Sequence, residues 1–121
     1  MNPVTWFEIA ANDLARGKAF YEHVFGFSLT HMEMGPSKME MFPMEQNASG
    51  SGGALIQTEG HTPSHEGTVI YFSVDDIEAT LAKVEPKGGR TLQPKTSIGE
   101  FGFIALFEDS EGNRLGLHSQ S

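Results

Sequence analysis

The sequence predicts an α+β domain built from two copies of one unit, in which a strand is followed by a helix and by further strands. The first observation is an internal repeat: the segment Trp6 to Phe27 returns in altered form at Val69 to Arg90, 63 residues later. The second is periodicity, because each copy opens with apolar residues at every other position and continues with helical spacing. A repeat of half the chain length is typical of one supersecondary unit used twice.

The first copy predicts a strand, a helix, a hairpin and a last strand. In the opening strand Phe7 and Ile9 share one face. Asn12 or Asp13 can cap the helix that follows, and Gly26 is suited to end it in a left-handed conformation. Further strands are predicted at 28–33, 39–44 and 54–58, with a mobile glycine-rich loop at 46–53.

The second copy repeats this order. Its first strand is predicted at 67–74, and Asp75 with Glu78 three residues later resembles a capping box that starts a helix. Pro86 and the glycines at 88–89 end that helix. Strands follow at 90–94, 101–108 and 114–118, and the apolar residues at both alternating sets of 101–107 indicate a strand that is covered on both faces.

Length and composition limit the functions that are compatible with the chain. The 121 residues are expected to form one domain, 1–121, with module one at about 1–60 and module two at about 66–121. There are no cysteines, no secretory leader and no long apolar run, so we expect a cytoplasmic protein outside the membrane. The net charge of −8, without a basic stripe, argues against a nucleic-acid partner.

Three motifs carry a resemblance to a known family: Asp13-Leu-Ala-Arg-Gly-Lys-Ala-Phe-Tyr-Glu-His-Val-Phe-Gly-Phe27, Asp75-Asp-Ile77 and Phe107-Glu-Asp-Ser-Glu-Gly-Asn113. They resemble the first helix, the second-module entry and the terminal hairpin of the vicinal oxygen chelate superfamily, the glyoxalase, bleomycin resistance and extradiol dioxygenase group. Ser110 replaces a proline that is usual there. The resemblance implies two βαβββ modules that form an eight-stranded, cup-shaped mixed sheet, with helices outside and a small-molecule site inside.

Metal-dependent members of that family hold one divalent ion with four His or Glu ligands. Carried over from the motifs, these ligand positions fall on Trp6, Val69 and Gly116, and the fourth lies near Leu55 to Gln57. None of these residues is a ligand that a hard or borderline cation prefers. We therefore predict no family metal site and no cofactor, and a divalent metal held by other ligands remains the alternative. His61 and His65 have a ligand-like spacing, but a proline-containing loop favours solvated side chains there.

Several side chains are candidates for the site inside the cup. Alternation along the strands points Glu8, Tyr71 and His118 inward, and these are the candidate catalytic residues, with a structural role for Glu8 as the competing interpretation. Trp6 either fills the space of the missing metal or forms a stacking wall. Five methionines would give an adaptable lining if they face inward and are otherwise core: Met32, Met34, Met39, Met41 and Met44. The predicted ligand-binding residues are Trp6, Val69, Tyr71, Phe103, Arg114 and Gly116.

Two classes of function follow. The first is a metal-independent binding protein that holds an apolar or aromatic small molecule in the cup. The second is a lyase or isomerase of glyoxalase type, with Glu8 as general base and Tyr71 or His118 as acid, or with a metal bound by non-family ligands. A homodimer is expected in either case, because modules of this kind commonly pair. The missing family ligands favour the binding protein.

Overall fold

The computed structural model describes residues 2–121 and confirms the predicted α+β class with two βαβββ modules. The helices are α1 (Leu14–Phe25) and α2 (Ile77–Leu81), and two 3₁₀ turns lie at Glu85–Lys87 and Gly99–Phe101. The strands are β1 (Trp6–Ala10), β2 (Thr30–Met34), β3 (Ser37–Met41), β4 (Gly52–Gln57), β5 (Tyr71–Ser73), β6 (Arg90–Ser97), β7 (Phe103–Glu108) and β8 (Arg114–Ser119).

The eight strands form two four-stranded mixed sheets with the same topology. The first sheet has the order β1-β4-β3-β2 and the second the order β5-β8-β7-β6. In each sheet the first strand of the module pairs in parallel with the last, and the other pairs are antiparallel. Glu8 lies opposite Ala54 in the first sheet, and Tyr71 lies opposite Gly116 in the second, so the sequence repeat is also a structural one.

Both helices begin at an aspartate. Asp13 accepts a hydrogen bond from the amide of Arg16, and Asp76 accepts one from the amide of Ala79, each at 3.0 Å. The cap of α2 is therefore Asp76 and not the predicted Asp75. This helix is also short, because the chain turns into a 3₁₀ segment before Pro86.

One hydrophobic core joins the two modules. Helix α1 lies between the sheets: the ring of Phe20 stacks on Phe107 with centroids 6.2 Å apart, and the ring of Phe25 lies 4.6 Å from that of Phe72. The buried cluster contains residues of β1, β4, β7 and β8 together with both helices. The helix-covered faces of both sheets therefore point towards a common core. We call the opposite face of each sheet its outer face.

A buried carboxylate ties the second module to the start of α1. The side chain of Glu111 is fully buried and accepts hydrogen bonds from the amides of Asn12 (2.9 Å) and Asp13 (2.7 Å). It also pairs with the guanidinium of Arg16, with 2.6 Å between Nε and Oε2. Burial opposes ionisation of Glu111, but the hydrogen bonds from Arg16 and Asp13 outweigh it and lower its pKa. This clamp fixes the helix N-terminus against the β7–β8 turn.

Neither helix has the length and apolar character that a membrane-spanning segment needs, as far as residues 2–121 are concerned.

Candidate functional site

The outer face of the first sheet is apolar and partly uncovered. Strand register places Met32 opposite Met39, Met39 opposite Ile56 and Met41 opposite Ala54. Met34 is 61% exposed and Trp6 is 39% exposed, whereas the centre of the face is buried by its own neighbours. We call this surface the methionine face, and it consists of Trp6, Met32, Met34, Met39, Met41, Ala54 and Ile56. Of the five methionines considered from sequence, four lie on it, and Met44 packs over Gly52 at its edge.

The outer face of the second sheet is more polar. Tyr71 is 47% exposed, and its ring lies so close over Gly116 that a β-carbon at this position would overlap it. Arg114 and His118 are half-buried on either side of Gly116 along β8. The Nε2–H group of His118 donates a hydrogen bond to the carbonyl of Phe101 at 2.7 Å. The imidazole thereby contacts the turn before β7.

The positions to which the family resemblance assigns the metal ligands carry no suitable donors here. The structure places the fourth position at Ala54, because Ala54 lies opposite Glu8 as Gly116 lies opposite Tyr71. Leu55 is buried in the core, and the Gln57 side chain accepts a hydrogen bond from the Leu14 amide at 2.9 Å, so both belong to the covered face. Indole, methyl, isopropyl and hydrogen do not coordinate a divalent cation, and these residues do not fit one.

The three candidate catalytic residues lie in different surroundings within one chain. Glu8 lines a polar cleft, where its carboxylate lies 3.3 Å from Nε2 of His61 and accepts a hydrogen bond from the indole of Trp6 at 3.3 Å. Tyr71 lines a separate apolar cleft, and His118 contacts the carbonyl of Phe101. One chain therefore does not bring the three side chains together in one cavity.

The apolar cleft has a volume of about 430 Å³ and lies where β1 meets β5. Its aromatic residues are clustered: the ring of Phe7 lies 5.6 Å from that of Phe42 and 6.2 Å from that of Phe72. Val69 and Tyr71, both predicted ligand-binding residues, also line it. Sequence reasoning missed Phe42, because the end of a hairpin strand gives no signal that it meets a cleft.

Two of the residues considered from sequence, Phe103 and His65, line neither of the two clefts. Phe103 is on the helix-covered face of β7, where it packs against the core and lies 4.6 Å below the ammonium of Lys95. His65 lies 2.5 Å from Glu108, while His61 pairs with Glu8. The two histidines of the predicted loop therefore bind different carboxylates. Among residues 2–121 there is no group of three or more His, Asp or Glu side chains arranged to hold a metal.

This fold and this arrangement of the site positions define a glyoxalase-like protein. The profile of the Glyoxalase/Bleomycin resistance protein/Dioxygenase superfamily matches residues 4–117, and the chain belongs to this family.

The chain is similar to a glyoxylase-like domain-containing protein of Didymella fabae, with 32% identity over 91% of this chain and 88% of that protein. It is also similar to the putative glyoxylase CFP32 of Mycobacterium bovis, with 25% identity over 93% of this chain but only 43% of that protein. The chain thus spans less than half of the mycobacterial relative. Among solved structures, TnmS3, an antibiotic binding protein from Streptomyces, has the same fold, with a TM-score of 0.74 and 23% identity over 100% of this chain and 98% of that one.

Proposed function

We propose that this protein binds an apolar or aromatic small molecule without a metal ion, and that two copies of the chain complete the binding site. The observation that carries the proposal is the methionine face. Exposed thioethers and an indole on a structured sheet form an apolar surface of the kind that marks a binding site. Methionine side chains adapt to irregular ligands, and indole stacks on planar ones.

The second copy is proposed because one chain leaves both outer faces uncovered. Trp6 and Met34 on one face and Tyr71 on the other are exposed, although their strands are paired and rigid. A second copy can bring the polar outer face of its second sheet over the methionine face of the first copy. That arrangement would create a closed cup from two open halves, with the positions of Trp6 and Gly116 facing one another.

TnmS3 supports the proposal at the level of the fold, because a protein with the same scaffold is an antibiotic binding protein. The side chains at the four positions to which the family resemblance assigns metal ligands support the metal-independent part of the proposal. A ligand held by burial and stacking needs no coordinating atoms, and the four family positions provide none.

Binding can be followed with the neutral fluorophore N-phenyl-1-naphthylamine, because Trp6 is the single tryptophan. We expect the bound probe to quench Trp6 emission by energy transfer, with saturation. Exchanging Met32 and Met34 together for glutamine should weaken binding by about tenfold, since both side chains lose apolar contact with the probe. The control is Glu33→Gln, which lies between the two methionines on the opposite face of β2 and should leave the affinity unchanged.

The metal content of the same preparation distinguishes the binding protein from the alternative function, an enzyme. Glu8 contacts His61 at the rim of a cleft, and this observation supports a lyase or isomerase in which Glu8 is the base. Stoichiometric divalent metal, or turnover of the methylglyoxal–glutathione adduct that is lost in Glu8→Gln, would replace the binding proposal by the enzyme. A probe that binds equally to the double methionine variant would contradict the methionine face as the site.

The assembly is tested by size-exclusion chromatography with light scattering. We expect a particle of twice the 13.2 kDa chain mass. Trp6→Glu should convert it to a monomer, because a carboxylate would be buried without a partner between the copies. Glu33→Gln should remain dimeric. A wild-type protein that is monomeric at all concentrations would contradict the shared site, while leaving ligand binding by a single chain open to the fluorescence test.

A further inference from the structure

A second, polar cleft lies on the other side of the junction between the modules. Its volume is about 320 Å³, and it is formed by the end of β1, the loop at 60–68 and the start of β8. The ionisable side chains in its lining are Glu8, His61, Glu66 and Arg114. No residue named for the methionine face lines this cleft, but Glu8 lies beside Trp6 on the outer face of β1 and Arg114 lies on the outer face of β8, so the inference concerns residues next to the proposed binding surface.

Arg114 is the unusual residue of the cleft. Its Nε atom is buried, and among residues 2–121 it has no hydrogen-bond partner. The backbone of Arg114 is held in place, because its amide donates to the carbonyl of Ser64 at 3.2 Å. The Nε–H group of Arg114 is therefore shielded from water in the wall of the cleft without an acceptor, while the residue as a whole is half-buried.

One carboxylate residue lies directly opposite Arg114 in the strand register, but it already binds two other side chains. Glu108 lies opposite Arg114 across β7 and β8. Its two oxygens are taken by Arg90, at 3.2 Å, and by His65, at 2.5 Å. The hydrogen bond from Arg90, followed by that from His65, lowers the pKa of Glu108, so the carboxylate is committed to these partners. Arg114 is thus left without the neighbour that could have neutralised it.

A buried cationic donor without an acceptor is costly, and most such groups in proteins have a partner. Guanidinium binds planar oxyanions through parallel N–H groups and favours carboxylates. Glu8 lines the same cleft, and its carboxylate repels a bare anion but accepts hydrogen bonds from a donor. A ligand that suits both side chains carries a carboxylate for Arg114 and, next to it, an N–H or O–H group for Glu8.

We propose that this cleft binds a small carboxylate that carries an amino or hydroxyl group, with Arg114 binding the carboxylate and Glu8 accepting from the neighbouring donor. The chemical class is that of small amino and hydroxy acids.

The test uses glycine, glycolate and acetate as probes on the full chain. Arginine Nε–H signals in ¹⁵N-correlated NMR spectra report the site directly, because the chain has three arginines and the other two, Arg16 and Arg90, are already ion-paired. We expect glycine or glycolate at millimolar concentration to shift the Arg114 signal with saturation and to leave the other two unshifted. Acetate should bind more weakly, since it offers Glu8 no donor.

Variants give an independent readout by calorimetry. Arg114→Lys retains the charge but removes the guanidinium fork, and Arg114→Met removes both; we expect about tenfold weaker binding or more for the methionine variant. Glu8→Gln should reduce the preference for glycolate over acetate. Lys83→Met, which removes an exposed cation elsewhere, is the charge-matched control. The proposal is overturned by an Arg114 signal that no probe shifts, by equal shifts of all three signals, or by a folded Arg114→Met protein that binds as tightly as the wild type.

Discussion

Replacing Gly89 by alanine is expected to lower the free energy of unfolding by about 3 kcal/mol, at the upper end of what overpacking costs. A β-carbon at Gly89 would overlap the backbone carbonyl oxygen of Glu108 and lie 2.7 Å from Cγ1 of Val84 and 2.8 Å from a ring carbon of Phe20. These atoms belong to β7, the end of the second-module helical segment, and α1. None can move without disturbing the core that joins the modules. Urea denaturation followed by far-ultraviolet circular dichroism measures the change.

The repeat provides a matched control in Gly26→Ala. Gly26 is the residue that aligns with Gly89 in sequence, but it has φ +78, and a β-carbon added there would meet no atom of the described residues within 4 Å. Its replacement costs only the left-handed backbone conformation, about 1 kcal/mol. Equal losses at the two glycines would show that crowding at Gly89 is not the cause.

Replacing Glu111 by alanine is expected to cost roughly 3 kcal/mol. The substitution leaves the amides of Asn12 and Asp13 without their acceptor and frees Arg16, and hydrogen bonds to charged groups contribute about 1.5–3 kcal/mol each. Because Arg16 is half exposed and can be rehydrated, the amides account for most of the loss. The same urea experiment applies, with the exposed Glu85→Ala as control.

The pH dependence of stability gives a second test of Glu111. Its pKa is lower in the folded chain, so its contribution is complete above about 4.3, the ordinary pKa of glutamate, and is lost as the pH falls through the folded value. Asp109 contributes to the pH dependence of stability with the opposite sign. Burial raises its pKa, so its ionisation opposes folding as the pH rises. Glu111→Gln should therefore flatten the acid limb of the stability profile. An unchanged acid limb would contradict the clamp.

Local sequence signals predicted most of the framework. The aspartate before each helix, the left-handed glycine after α1 and the alternation in β1 are short-range properties, since each depends on residues a few positions apart. The alternation predicted that Phe7 and Ile9 share one face of β1, and Trp6 and Glu8 lie on the other. The errors are of one or a few residues: the cap of α2 is Asp76 and not Asp75, and strand register places the fourth family position at Ala54 and not within 55–57.

The site could be predicted only in part. That four methionines share a face follows from period-two spacing on two strands and from the hairpin between them. The apolar cleft could not be predicted, because Phe7, Phe42 and Phe72 come from three separate segments of two modules. Phe103 was assigned to the ligand site, and the structure places it on the covered face instead.

By itself, the sequence determined a duplicated α+β unit and the approximate positions of its caps and turns, and it showed that Trp6, Val69 and Gly116, to which the family resemblance assigns metal ligands, carry no ligand side chains. The tertiary structure decided which faces are covered and which charges are paired. In the described part of the chain, Arg114 is unpaired because Arg90 and His65, distant in sequence, occupy the carboxylate opposite it. Local periodicity specifies which side chains share a strand face, but burial and charge pairing depend on long-range packing that brings both modules against one core.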